Sequence, residues 1–179
     1  MSEFEFLSVL ISIIFGLGLT HLLYGLFRHL ARRDITATHL LLTAWVFLVL
    51  VLNWWVLYRW RDYQGWSFEI FLLIVLWALS FYVMSIALYP PDDREARTAT
   101  FDYRWFFSAA LATCLLDILW TATRGALLDP WYYLPFVGHY AALCALLTVV
   151  RNAALRHAVA WWMLVSILVW AFVVRRVVA

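Results

Sequence analysis

Asp117 stands seven residues before Arg124, inside an apolar run, and Thr113 and Thr121 stand four residues to either side of it. Positions i, i+4 and i+8 share one face of a helix, so the three form a polar stripe. At 1.5 Å per residue Asp117 lies about 10 Å in from the rim marked by Arg124. Asn53, on a second run, reaches about the same depth, and His139, nine residues after Pro130, reaches about 13 Å. Counting runs places all three depths on the same side of the molecule. An ionisable group at such depth costs a few kcal/mol on insertion scales and counts as a functional candidate by default. Histidine titrates near neutral pH, so an Asp–His pair there can exchange protons. The spacing therefore predicts a small wet cavity lined by Asp117, His139, Asn53, Thr113 and Thr121. Asp117 would carry charge or accept protons, His139 would be its partner, and Asn53 would orient solvent or solute. The competing reading is a hydrogen-bond cluster that only specifies packing. Pro135, one turn before His139, takes a donor from the Trp131 carbonyl and could bend its helix.

A second pattern lies near the N-terminus. Ser8, Ser12, Gly16 and Thr20 recur every four residues, a small-residue face that lets two helices approach closely, within one chain or between two copies. His21 follows, with Gly18 and Gly25 on its own face, a setting suited to a pocket or to another helix's backbone. Haem between His21 and His139 is disfavoured. Counted from opposite sides of a ~30 Å core, the two are offset by about 7 Å. No other cofactor and no metal site is indicated. His29, His39 and His157 fall at loop edges.

Six apolar runs must position these residues, at about 5–27, 38–59, 66–89, 104–124, 130–150 and 155–175. Each reaches the ~20 residues that a helix needs to span hydrocarbon. Only 13% of residues are charged, against about a quarter in soluble domains, and mean hydropathy is +0.86, which excludes a water-soluble fold. The runs are continuous rather than alternating, so helices are expected and not barrel strands. The expected architecture is an all-α integral membrane protein, one domain over 1–179, with six helices in an antiparallel up-down bundle joined by short loops. The acidic Met1-Ser2-Glu3-Phe4-Glu5 lacks the positive region of a cleavable signal, so the first span is expected to remain.

Every basic residue is arginine. Arg28, Arg32, Arg33, Arg94, Arg97, Arg104, Arg151 and Arg156 fall on one side, and Arg59, Arg61, Arg124, Arg175 and Arg176 on the other. The positive-inside rule then puts both termini outside, in a bacterial inner membrane. Trp54, Trp55, Tyr58, Trp60, Tyr63, Trp66, Trp131, Tyr132 and Tyr133 cluster at the terminal side and read as interfacial anchors. The longest loop opens with Pro90 and Pro91, and Asp92 and Glu95 have capping-box spacing, predicting a short interfacial helix. Phe4-Glu5-Phe6-Leu7 and Phe68-Glu69-Ile70-Phe71 match too briefly to support an inverted repeat.

A net charge of +2 with no basic stripe excludes nucleic acid. Cys114 and Cys144 lie in apolar runs and form no disulfide framework. No HExxH, GxSxG, paired CxxC or phosphate loop is present. The sequence therefore favours a non-enzyme that conducts or transports protons, ions or a small solute through the polar cavity, as a homo-oligomer in the lipid bilayer. A non-transporting scaffold docking a partner protein is the alternative. A small redox or lipid-modifying enzyme using the histidines comes third.

Overall fold

The computed structural model describes residues 3–58, 61, 63, 65–91, 101–123, 125–128 and 130–174. The described residues are all-helical: α1 (Glu3–Arg32), α2 (Ala37–Leu57), α3 (Phe68–Leu88), α4 (Arg104–Thr123), α5 (Tyr133–Val149) and α6 (Ala153–Val169). A π-helical turn, Trp170–Val174, continues α6. Five of the six helices are long and apolar enough to cross a membrane, which marks the chain as an integral membrane protein. The fifth, α5, has 17 residues, about 25 Å at 1.5 Å per residue. Its run loses residues 130–132 to a turn in which Tyr133 N–H bonds the Pro130 carbonyl at 3.0 Å. Pro135 therefore sits in the first helical turn, where an N–H has no intrahelical partner anyway, and it does not open a gap opposite Trp131. The segment expected to form an interfacial helix, with Asp92 and Glu95, lies outside the described residues, as do Arg59, Trp60, Arg94, Arg97, Arg124, Arg175 and Arg176.

Side chains set the helix ends. Thr36, Ser67 and Asn152 accept from the backbone N–H groups of His39, Ile70 and Leu155, and cap α2, α3 and α6. Asp102 accepts from Arg104 N–H ahead of α4. The first helix runs five residues beyond the run that ends at 27. It stops where Arg33 turns left-handed (φ 54°) and the N–H groups of Arg33 and Asp34 return to Leu30 and His29. Gly125 (φ 68°) ends α4 the same way, on Ala122 and Thr121, with no Cβ penalty.

The helices form a ring rather than a chain of sequential neighbours. The pairs α1–α3, α3–α4, α4–α5 and α2–α6 pack closely and α1 also meets α2, whereas the backbones of α5 and α6 stay apart and are bridged by side chains such as Tyr140, whose hydroxyl meets Ser166 Oγ at 2.7 Å. Lipid removes the hydrophobic drive between helices, so dispersion and shape hold the core. Edge-to-face aromatic pairs between helices contribute: Phe15 of α1 with Phe81 of α3 (5.4 Å) and Trp45 of α2 with Phe106 of α4 (6.5 Å). Outward-facing Phe6, Ile13, Leu72, Val83 and Leu119 remain exposed, as a lipid-facing surface requires.

On α1 the inward stripe is Leu7, Ile11, Gly18, Leu22, Gly25 and His29, all buried. Ser12 accepts from Trp54 Nε1 at 3.2 Å, whereas Gly16 and Thr20 are exposed, and a Cβ at Gly16 would meet nothing within 4 Å. The close approach occurs instead at Gly25, where a Cβ would overlap the Tyr89 ring; a Cβ at Gly18 would sit in ordinary contact, 3.6 Å from the Tyr82 Cα. Gly25→Ala should destabilise the protein by about 1–3 kcal/mol through overpacking. Gly16→Ala should leave the protomer unaffected. Thermal unfolding of both variants in detergent checks the contrast.

Candidate functional site: a polar cavity within the helix ring

The α4 stripe turns inward, with Thr113 and Thr121 buried and Asp117 half-buried. Each carboxylate oxygen of Asp117 accepts a hydrogen bond from a neighbouring helix. Trp77 Nε1 of α3 donates to Oδ1 at 3.1 Å, and Tyr133 Oη of α5 donates to Oδ2 at 2.7 Å. The Tyr133 hydroxyl in turn accepts from Thr121 Oγ1 at 2.8 Å. Phe15 and Phe81 fix the Trp77 indole that makes the first of these bonds. Thr113 is satisfied by its own helix, donating to the Ala109 carbonyl at 2.9 Å, and Asn53 Nδ2 donates to the Val49 carbonyl at 2.8 Å.

Asp117, Asn53, Thr113 and Thr121 all line one partly open cavity of about 200 Å³ within the ring. At ~30 Å³ of liquid volume per water, that is room for a handful of waters or one small solute. Leu57, Trp66, Ala126 and Pro130 line it where the α2–α3 and α4–α5 connections meet. Trp45, Phe81, Met84 and Tyr140 line it farther in. His139 is not part of this wall. It lines a separate groove between α5 and α6, and the stacked Phe136–Trp170 pair (3.8 Å, 12°) lines both spaces. The expected Asp–His pair is thus not brought together.

Tyr133 and Trp77 are the functional neighbours that sequence reading passed over. Tyr133 was expected to be an interfacial anchor, but Pro130 begins a turn that carries its ring inward. Tyr63, another expected anchor, is half-buried against Trp66 (5.2 Å) and Trp120 (6.3 Å). Trp54, Trp55, Tyr58 and Trp131 are exposed. Tyr133→Phe should cost about 1 kcal/mol, the usual scale of a hydrogen bond inside a membrane. Denaturation of the variant in mixed micelles measures it.

A second polar cluster occupies the opposite end, where the connections after α1, α3 and α5 lie. His29 and His39 are buried there, each at a helix end beside the α1–α2 connection: His29 three residues before the end of α1 and His39 two residues into α2. His29 Nδ1 pairs with Asp34 at 2.8 Å, and His39 Nδ1 meets the Tyr103 hydroxyl at 3.3 Å. Tyr89 lies at the centre. Its carbonyl meets His21 Nε2 at 2.7 Å, its hydroxyl meets Thr43 Oγ1 at 2.7 Å, and its ring packs on His39 at 4.8 Å. His21 thus lies against the backbone that closes α3. His157 Nδ1 meets Thr38 at 2.9 Å, and the Arg156 guanidinium covers the Tyr103 ring at 4.4 Å.

Burial pushes the Tyr89 hydroxyl up to about 12, overriding the Thr43 hydrogen bond, and burial also raises Tyr103. The folded value lies above the ordinary value of 10.0, so the unfolded chain releases its proton first as pH rises. Stability is fully present below pH 10.0 and falls as pH climbs toward about 12. Thermal scans across that interval should show a declining Tm, with a shallower decline in Tyr89→Phe.

No known protein family, no characterised protein and no solved structure matches this chain.

Proposed function

We propose that this protein moves protons or a small polar solute across a bilayer through the cavity at Asp117. In this reading six helices cross in alternate directions, with both termini outside a bacterial inner membrane. The observation that carries it is the convergence of Asp117, Asn53, Thr113 and Thr121, from two separate helices, on one cavity within the ring. A carboxylate facing a cavity inside an apolar helix ring is costly to retain, and intramembrane carboxylates mark ion and proton pathways. Asp117 is the charge-bearing group. Trp77 and Tyr133 hold its two oxygens in place, and Asn53 offers its amide to what enters. The small face at Ser8, Gly16 and Thr20 is the surface proposed for contact between copies, since Gly16 and Thr20 are free within the protomer.

One observation favours the scaffold reading. Asp117 is bonded on both oxygens, as a group with a purely structural duty would be. Asp117→Asn separates the two, because the amide keeps the shape and loses the charge. In proteoliposomes the variant should lower flux at least tenfold, about 1.4 kcal/mol of barrier, with its melting temperature kept. Unchanged flux with lowered stability would instead assign the residue to packing.

A further inference from the structure

Aromatic rings dominate the wall of the Asp117 cavity. Trp45, Trp66, Trp120, Phe136, Tyr140 and Trp170 line it, beside the Trp77 and Tyr133 that hold the carboxylate. Among the described residues of that wall Asp117 is the one acidic side chain, and no arginine or histidine stands with it. An aromatic ring is negative on its face and positive at its edge. The polar tips of Trp77 and Tyr133 already serve the anion, at 3.1 and 2.7 Å. A carboxylate surrounded by rings is the composition of a site that recognises an organic cation, since both components attract positive charge.

Charge and donor inventory narrow the occupant further. The carboxylate repels an anion, and a neutral solute gains nothing from its charge. A hard metal ion asks for about six oxygen ligands, and no group of three or more His, Cys, Asp or Glu side chains is placed to hold one among the described residues. Simple ammonium brings N–H groups that each need an acceptor, whereas each Asp117 oxygen already accepts a hydrogen bond. A fully methylated ammonium has no N–H to satisfy and spreads its charge over methyl groups that pack against rings. At the ~30 Å³ of liquid volume that one water takes, the cavity of about 200 Å³ admits about seven non-hydrogen atoms. That is the size of a trimethylammonium group with a short arm.

We infer that the solute of this cavity is a small methylated ammonium ion taken from water, held by the charge of Asp117 and by the surrounding indole, phenol and phenyl rings. The inference rests on the reading that the Asp117 cavity receives a solute, and it names the chemical class of that solute. Trp66 lines the cavity where the α2–α3 and α4–α5 connections meet, so an entering cation finds a ring at the mouth as well as farther in.

The test uses the full chain in a maltoside detergent, which carries no ammonium group, with isotope-labelled choline in equilibrium dialysis at constant ionic strength. Binding should saturate, and Asp117→Asn should weaken it at least tenfold. Dimethylbutanol, the neutral carbon isostere of choline, should not displace the label, nor should sodium or ammonium at the same concentration. Protein grown with fluorotryptophan keeps the shape of its indoles and has less negative ring faces. Its affinity should fall at least twofold, which keeps the test open if Asp117→Asn fails to fold. No saturable binding by folded protein would overturn the inference. Equal displacement by dimethylbutanol would overturn the cation, and equal displacement by sodium or ammonium would overturn the methylated class. Unchanged affinity in the fluorinated protein would overturn the part played by the indoles. In nanodiscs, binding kept in phosphatidylglycerol but lost in phosphatidylcholine would overturn the free solute in favour of a lipid's trimethylammonium head. Choline binding that depends on Asp117, without choline or proton flux in proteoliposomes, would uphold the inferred site and end the transport reading. Proton flux lost in Asp117→Asn with no choline binding would do the reverse.

Discussion

The constraint on which this molecule depends is that hydrocarbon offers no partner to a polar group. Two solutions recur along the chain. Side chains short enough to fold back bond their own helix: Thr43 to the His39 carbonyl, Ser85 to Phe81, Thr113 to Ala109, and Asn53 to Val49. A carboxylate has no donor to return to its helix and must find donors elsewhere. Asp117 finds them on α3 and α5, so the three helices α3, α4 and α5 are tied by one side chain. Tyr89 serves the other end of the molecule comparably, joining α1 through His21 and α2 through Thr43.

The same ties explain why a cavity persists where dispersion alone would favour collapse. Helices α5 and α6 follow one another in sequence but keep their backbones apart, because α6 packs on α2 while α5 stays with α4. Bulky indoles and phenols at Trp45, Trp77, Trp120, Tyr133 and Tyr140 hold the walls apart. The wider turn of the π-helix places Trp170 against Phe136, and that stacked pair divides the internal cavity from the lateral groove. A ring that is closed on five sides and loose on the sixth thus has two spaces of different chemistry, one acidic and internal, one apolar and lipid-facing.

Much of this was legible from the residues alone. Continuous apolar runs gave the helices, and four-residue spacing gave the polar stripe of α4. Depth counting placed Asn53 level with Asp117 without any contact information. It failed for His139 because depth does not encode rotation about the helix axis, and an isolated histidine leaves no stripe from which rotation can be read. Tyr133 and Trp77 were invisible for a related reason. In so aromatic a sequence, a ring whose polar tip reaches inward looks the same as one that anchors at the headgroups. The His29–His39–Tyr89–Tyr103 cluster was missed because the end of α1 was set too early. Arg33 adopts the left-handed turn that more often signals glycine, so no residue type announced the boundary.

The two polar clusters also bear on how charge could pass through the ring. The Asp117 cavity ends inward at Met84 and Trp45, and the Tyr89 cluster begins on the same two helices, at Thr43 and Tyr89. Trp45 packs on Phe106 at 6.5 Å and on Tyr140 at 5.7 Å, an aromatic layer with no ionisable side chain other than the tyrosine. A proton or solute held at Asp117 is therefore separated from the far cluster by rings and a thioether rather than by a wire of polar groups. Transport by this geometry requires that layer to rearrange, and the flexible, unbranched Met84 is the part of it best able to do so. On the proposed transport reading, a static pore would need no such movement, so the closed aromatic layer favours carriage of a bound species over an open channel.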